Sequence, residues 1–463
     1  MVFSQFYLIC HRRWYISFTI WTYIIGDMIG SSILPLVIDR YGRKITCLSL
    51  LIVHLTFGSA APLVNDLYGF ILCKFLASTS VGASFVVAFV WSVEFVSPEY
   101  RTQTTLFIQV IYGICLATLG ALAYICHNWF TYSLAVNVIP SILGALVVLF
   151  VPESPRWLLA VGQEKRALKI SLQIAKENKV KVERQELQLM LQRTSDEQEK
   201  AHRHQEMSLL AIFRYKNLRD KLLVLSFAYI ATHLMYNLFQ YNVENLPGHP
   251  YVVFTLCGLV ELPALAFMSW GLQRTGTIRM TVLLFFLAAI SAAATPIIAS
   301  LSQEQDVNWG VISVALVAKM AISILFIISS QLSTEHFPTA ARGKAYGFIS
   351  FSAKVGYLGM PLIRLTADYY QYTPMLISGC FALVCGFLCL AVPETMGKDM
   401  PETITDSERI GWIGWESFRK NSDVRKSNFD KNSVPVGKKK SDQQKFTPLL
   451  QMESAAPEDK SEK

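Results

Sequence analysis

Long apolar segments recur along almost the whole chain, and they constrain its fold more than any other feature. Eleven of them run near 14–38, 46–64, 69–92, 105–126, 132–151, 222–241, 250–272, 279–301, 308–331, 346–366 and 373–392. A hydrocarbon core about 30 Å thick needs roughly 20 apolar residues per helix. Inside a bilayer, helices satisfy all their backbone hydrogen bonds within the segment. The sequence therefore predicts an all-α polytopic membrane protein with eleven transmembrane helices.

The charged residues are concentrated between and after these segments. Only 16% of the 463 residues are charged, and most of them lie in 152–221 and 393–463. This distribution predicts an N-terminal remnant (1–13), a five-helix bundle (14–151), a cytoplasmic linker (152–221), a six-helix bundle (222–392) and a largely disordered tail (393–463). The net charge of +8 comes mainly from the linker and the short loops, which suits an anionic membrane surface rather than nucleic acid.

Lys and Arg are distributed unevenly over the short loops. Alternate loops carry Arg40, Arg43 and Lys44; Arg101; Arg274 and Arg279; Arg342 and Lys344. The loops between them, near 63–68, 127–131, 242–249, 301–307 and 368–372, carry no Lys or Arg. Cytoplasmic loops are enriched in these residues, so we expect the basic loops, the linker and the tail on the cytoplasmic side.

The second half of the chain repeats the first. The matching segments are EFVSPEYR (94–101) with EHFPTAAR (335–342), Val-Pro-Glu (151–153) with Val-Pro-Glu (392–394) and, more weakly, DRYGRK (39–44) with QRTGTIR (273–279). Parallel repeats of this kind are typical of transporters built from six plus six helices. The first half shows five apolar segments, so we expect one N-terminal helix to be absent from this chain. We also expect the chain by itself to transport poorly.

These motifs resemble the major facilitator superfamily. The segment PLVIDRYGRK (35–44) is similar to its loop motif G-x-x-x-D-R-x-G-R-K, with Pro35 in place of the first glycine. Within the superfamily the chain most resembles solute carrier family 22, the organic cation, anion and zwitterion transporters. The supporting segments are EFVSPEYRT (94–102), LAYICHNW (122–129), VPESPRWLL (151–159), VELPA (260–264), EHFPTAARG (335–343) and VPETMGKDMPETITDSE (392–408).

The resemblance implies the major facilitator fold, with two pseudo-symmetric helix bundles and twelve helices in the family. It also implies a secondary transporter of small organic ions, working by alternating access in the plasma membrane. Enzyme motifs such as G-x-S-x-G, H-E-x-x-H and the Walker loop are not found, so we expect neither an enzyme nor a cofactor. We expect the lipid bilayer and a small organic ion as partners. Whether the chain forms a homo-oligomer stays an open question at this point.

Ionisable residues at membrane depth are costly to bury and are therefore functional candidates. Lys354 lies where the resemblance implies a cation in anion and carnitine transporters and an aspartate in cation transporters. It either contacts substrate or pairs with an acid on another helix, and Lys319 has the same two interpretations. Glu261 is expected mainly as a structural partner. Asp27 is a proton site, a counter-ion for a basic substrate group or a product of sequence drift. We therefore expect an organic anion or a zwitterion to be favoured over a cation.

Two further groups of candidate residues follow from the resemblance. Tyr236, Tyr229, Phe85 and the polar Gln109 are substrate-binding candidates, although such residues also pack against helices or face lipid. The gating candidates are Asp39, Arg40, Gly42, Arg43, Glu94, Arg101, Glu153, Arg156, Glu335, Arg342 and Glu394. The resemblance implies that the acids and bases of this set pair between the two halves and close the cytoplasmic side. Their alternative role is to anchor the topology.

Two other functions stay open. A sugar porter shares the PESPR and PET motifs, although Lys354 is unusual for a neutral hexose. A chain without its first helix could instead be a non-transporting isoform that binds a full-length partner.

The charge distribution yields a testable topology. In a background without the nine native cysteines, Val180→Cys should react with a membrane-impermeant maleimide only after the cells are permeabilised. Pro247→Cys is the matched control and should react in intact cells. Labelling of position 180 from outside would contradict the assignment of the linker to the cytoplasm.

Overall fold

The computed structural model describes residues 6, 14–32, 34, 40–97, 100–180, 182–193, 209–301 and 308–394. In chain order its helices are α1 (Trp14–Ser32), α2 (Arg43–Ala60), α3 (Leu67–Glu94), α4 (Arg101–Ile125), α5 (Trp129–Phe150), α6 (Pro155–Ala160), α7 (Glu164–Glu177), α8 (Leu209–Arg214), α9 (Lys216–Asn242), α10 (Pro250–Thr275), α11 (Thr277–Leu301), α12 (Trp309–Glu335), α13 (Thr339–Tyr357), α14 (Met360–Leu365) and α15 (Thr373–Cys389). The predicted tail from residue 395 onward and the gating candidate Asp39 lie outside the described residues.

The predicted all-helical membrane architecture is confirmed. The predicted apolar segments other than 346–366 each overlap one α-helix. Eight helices of the described part are long and apolar enough to cross a membrane. The count of eleven spans stays a prediction. The predicted segment 346–366 is wrong in its bounds, because α13 ends at Tyr357 and α14 starts anew at Met360. Pro361 lies in the first turn of α14, where its missing N–H costs no helical hydrogen bond.

The packing of the helices follows the sequence repeat. In the first half, α3 packs against α1 and α2, and α2 also packs against α5. In the second half, α12 packs against α10 and α11, and α11 also packs against α15. The three helix pairs of each half thus have counterparts in the other, which is the pseudo-symmetry that the sequence repeat predicts.

Equivalent glutamates hold the start of a helix in each half. Glu153, just after α5, accepts hydrogen bonds from the backbone N–H groups of Arg43 (3.0 Å) and Lys44 (3.1 Å) at the start of α2. Glu394, just after α15, accepts them from Thr277 (3.0 Å) and Arg279 (3.2 Å) at the start of α11. The first N–H groups of a helix lack partners within it and carry partial positive charge. Each carboxylate therefore ties the last long helix of its half to the start of an earlier helix, α2 in the first half and α11 in the second.

Both glutamates lie beside a glycine that a larger residue could not replace. Gly42 and Gly276 have φ values of 95° and 92°, a conformation that residues with a side chain rarely adopt. A Cβ atom would lie 2.6 Å from Oε2 of Glu153 at Gly42, and 2.8 Å from Oε2 of Glu394 at Gly276. The weak match of DRYGRK with QRTGTIR thus marks the same turn in both halves.

Within the described residues, two contact zones join the halves. In one zone α4 packs closely against α10, where a Cβ atom at Gly258 would lie 2.4 Å from the backbone nitrogen of Ala117. Small residues let membrane helices approach in this way. In the other zone α1 contacts α13 and α14, and the indole N–H of Trp21 donates to the carbonyl of Leu358 at 2.8 Å.

The carboxylates at the helix starts should stabilise both halves alike. We expect Glu153→Ala and Glu394→Ala each to lower the free energy of unfolding by about 1.5–3 kcal/mol, the range for a hydrogen bond to a charged group. Thermal melting in detergent measures the effect, with the exposed Glu186→Ala as the matched control. Melting of either variant at the control temperature would contradict the assignment.

Candidate functional site

A buried ion pair lies within the second half, between α10 and α12. Lys319 is 0% exposed, and its Nζ lies 3.0 Å from Oε1 of Glu261. The hydroxyl of Tyr236 on α9 donates to the same oxygen at 2.6 Å, and its ring centroid lies 3.5 Å from the Lys319 ammonium. Ser323 approaches that oxygen at 3.5 Å. We call these four residues the Glu261 cluster.

The Glu261 cluster has the features that a buried ion pair requires. Two charges removed from water need close contact and additional hydrogen bonds to offset their desolvation. The Glu261 carboxylate has both, and the Lys319 ammonium is also covered by an aromatic face, a favourable arrangement for a cation. The geometry therefore favours the structural-pairing interpretation of Lys319 and Glu261 over direct substrate contact.

A second ion pair connects the two halves. Nζ of Lys354 on α13 lies 2.8 Å from Oδ2 of Asp27 on α1, and the same ammonium donates to the hydroxyl of Ser31. The side chains of Lys354 and Asp27 remain 22% and 32% exposed. We call this pair the Asp27–Lys354 bridge. Lys354 thus pairs with an acid on another helix, and both side chains of the pair remain partly exposed.

A row of rings runs along the second half between these pairs. The Tyr229 ring lies 4.3 Å from that of His233, and His233 lies 4.5 Å from Phe326. Phe326 in turn lies 4.9 Å from Tyr236 of the Glu261 cluster. His233 is also within electrostatic range of Lys354. The predicted aromatic residues Tyr229 and Tyr236 thus belong to one continuous row of ring contacts, and both are buried.

The first half contributes fewer of the predicted substrate contacts. Phe85 is 54% exposed on α3, and Gln109 is half-buried on α4. Neither belongs to an ion pair or a ring contact described above, so the substrate role of both stays a prediction. Tyr112 on α4 does reach across, with its hydroxyl 3.5 Å from that of Tyr236.

The gating candidates make well-defined contacts within single halves. Arg43 forms an ion pair with Glu94 at 2.8 Å, and both lie in the first half. Glu153, beside Gly42, and Glu394 hold helix starts of their own halves. These contacts support an anchoring role, and the predicted pairing of such residues between the halves stays a prediction.

The remaining gating candidates also lie at or near the ends of helices. Arg40 is exposed, and Glu335 accepts a hydrogen bond from Gln331 at 2.7 Å. The repeat relates Arg101 and Arg342. Arg101 has one buried guanidinium nitrogen, and Arg342 has two, without a hydrogen-bond partner in the described part of the chain. Burial, followed by the charge of Arg101, lowers the pKa of Arg156.

Several residues of the site were missed by sequence reasoning. Tyr112, Trp21, Ser31 and Ser323 are uncharged residues in apolar helices, and no sequence pattern separates them from lipid-facing neighbours. Asp27 was singled out by its charge at membrane depth, but its partner was not. A partner 327 residues away can be identified only from the packing of the helices.

Comparison with known proteins identifies the family. The model of the "Sugar (and other) transporter" family matches residues 10–405. An organic cation transporter protein of Drosophila melanogaster is 29% identical over 411 residues, which are 88% of this chain and 74% of the relative. Mouse solute carrier family 22 member 3 is 28% identical over 413 residues, covering 89% and 72%. A beta-alanine transporter of Drosophila melanogaster is 26% identical over 412 residues, covering 88% and 67%.

A solved structure shows the same fold. The inward-open xylose transporter XylE from E. coli superposes with a TM-score of 0.62, over 85% of this chain and 88% of the transporter, at 18% identity. That likeness concerns the architecture of the two bundles. The family model, which matches most of the chain, places it in the sugar (and other) transporter family of the major facilitator superfamily, as a multi-pass membrane transporter that resembles solute carrier family 22.

Proposed function

We propose that this chain is a secondary transporter that moves small organic ions across the plasma membrane by alternating access. The observation that carries the proposal is the Asp27–Lys354 bridge, a solvent-accessible ion pair at membrane depth between the two halves. Charged groups in such positions mark substrate or ion pathways. Transport by rocking of one repeat against the other requires contacts between the halves that can separate, and an exposed ion pair is such a contact.

The pairing of the lysines changes the expected charge of the substrate. A transporter that prefers a simple organic anion needs a cationic side chain at membrane depth that has no acidic partner and can bind the anion. Lys319 and Lys354 each lie within 3.0 Å of a carboxylate oxygen, so a simple anion would have to leave Asp27 or Glu261 uncompensated. We therefore propose a zwitterion with a carboxylate and an amine. The relative named as a beta-alanine transporter supports this class, since β-alanine is a zwitterion at neutral pH.

An organic cation is the second candidate. The relatives named as organic cation transporters favour it, and the Asp27 carboxylate could bind the cation if Lys354 moved aside. A sugar is less suitable, because a neutral hexose offers no charge to replace an ion pair at the interface. These classes make different predictions in one experiment.

Uptake into cells that express this chain tests the proposal. Radiolabelled β-alanine, tetraethylammonium, benzoate and xylose are compared at a surface level that biotinylation measures, with untransfected cells as the control. We expect saturable β-alanine uptake above the other three, at the low rate that the sequence predicts for the chain by itself. Uptake of tetraethylammonium alone would favour the second candidate. Background uptake of all four at a verified surface level would contradict transport of small organic ions.

A further inference from the structure

We propose that the Asp27–Lys354 bridge is itself the binding site, where a zwitterionic substrate takes the place of the bridge. The substrate carboxylate pairs with Lys354, and its ammonium pairs with Asp27. Asp27 thus becomes the amine-binding residue of the site and a determinant of specificity. This inference rests on the proposed function and names the residues and the exchange that carry it.

The two membrane-depth ion pairs differ in whether a solute can enter them. The Glu261 cluster encloses its lysine completely, and its carboxylate receives three neighbours, Lys319, Tyr236 and Ser323. The bridge leaves 22% of the Lys354 side chain and 32% of that of Asp27 exposed. A solute could therefore replace an ion-pair partner in the bridge, but not in the enclosed Glu261–Lys319 pair.

Charge balance selects a molecule that carries both charges. A monovalent cation on Asp27 leaves the Lys354 ammonium without its carboxylate, and a monovalent anion on Lys354 leaves Asp27 without its ammonium. An unpaired charge in a site that is largely removed from water is unfavourable, and the side chains of Lys354 and Asp27 are mostly buried, with 22% and 32% of their surface exposed. A zwitterion leaves neither charge unpaired, because one ion pair is replaced by two.

The two residues are suited to different parts in this exchange. Asp27 is held in place, since α1 packs closely on α3: a Cβ atom at Gly82 would lie 2.6 Å from Oδ1 of Asp27. Lys354 has a long flexible side chain that also reaches Ser31. We therefore infer that the Lys354 ammonium moves while the Asp27 carboxylate keeps its position.

Exchange at the bridge also changes how the halves are joined. In the described part of the chain, the polar contacts between α1 and the segment around α13 and α14 include the bridge, the hydrogen bond from Lys354 to Ser31 and the hydrogen bond from Trp21 to Leu358. When a substrate separates Asp27 from Lys354, the direct ionic contact of α1 with α13 is lost. Binding would thereby loosen the interface that has to open during transport.

Removal of either charge tests the site. We expect Asp27→Asn and Lys354→Met each to raise the KM for β-alanine at least about tenfold, about 1.4 kcal/mol of binding free energy. The two variants should differ in which singly charged substrate they take up better. Lys354→Met leaves Asp27 for a cation and should increase tetraethylammonium uptake relative to β-alanine. Asp27→Asn leaves Lys354 for an anion and should increase benzoate uptake. Lys179→Met and Glu186→Gln, which remove exposed linker charges, are the matched controls.

The exchanged variant Asp27→Lys/Lys354→Asp separates charge pairing from folding. It keeps both charges at the interface, so it should reach the surface and recover β-alanine uptake above that of either single variant. If both single variants take up β-alanine as the wild type does, with KM unchanged within twofold, the proposed site is wrong but the proposed function stands. Recovery no better than the single variants at full surface level would also overturn it. Background uptake by the wild type would instead refute the proposed function itself.

Discussion

Charge compensation at membrane depth is the constraint on which the rest of this structure depends. A lysine or an acid among apolar helices is tolerated when a partner of opposite charge lies against it. The chain meets this requirement in two ways. Glu261 and Lys319 are enclosed within the second half, where they fix the relative positions of α10 and α12. Asp27 and Lys354 form an ion pair between the halves and remain partly exposed. We propose that a substrate can replace this ion pair.

The repeat supplies the rigid bodies between which this contact acts. Glu153 and Glu394 hold equivalent helix starts through equivalent backbone hydrogen bonds, next to glycines of nearly identical φ. Each half is therefore tied together by contacts of its own, at positions that do not involve the other half. Relative motion of the halves can then leave the internal packing of each one intact.

Sequence reasoning reached the fold but only part of the site. Hydropathy predicted the long helices because burial in lipid depends on composition, and the 241-residue offset of Val-Pro-Glu predicted the equivalence of Glu153 and Glu394. Helix ends were harder: the break before Met360 depends on local turn geometry within an apolar segment. The partners of Lys319 and Lys354 could not be derived, because hydropathy gives the depth of a residue but not the helix that it faces.

We propose that α1 and the region around α13 and α14 separate during transport. A direct measurement is β-alanine uptake by the variant Trp21→Cys/Leu358→Cys, whose positions are joined by a hydrogen bond across the halves, after treatment with a short thiol-specific cross-linker that a reductant can cleave. The account predicts that cross-linking abolishes uptake, that reduction restores it, and that each single-cysteine variant is unaffected. Transport by the cross-linked protein at the rate of the reduced protein would contradict it.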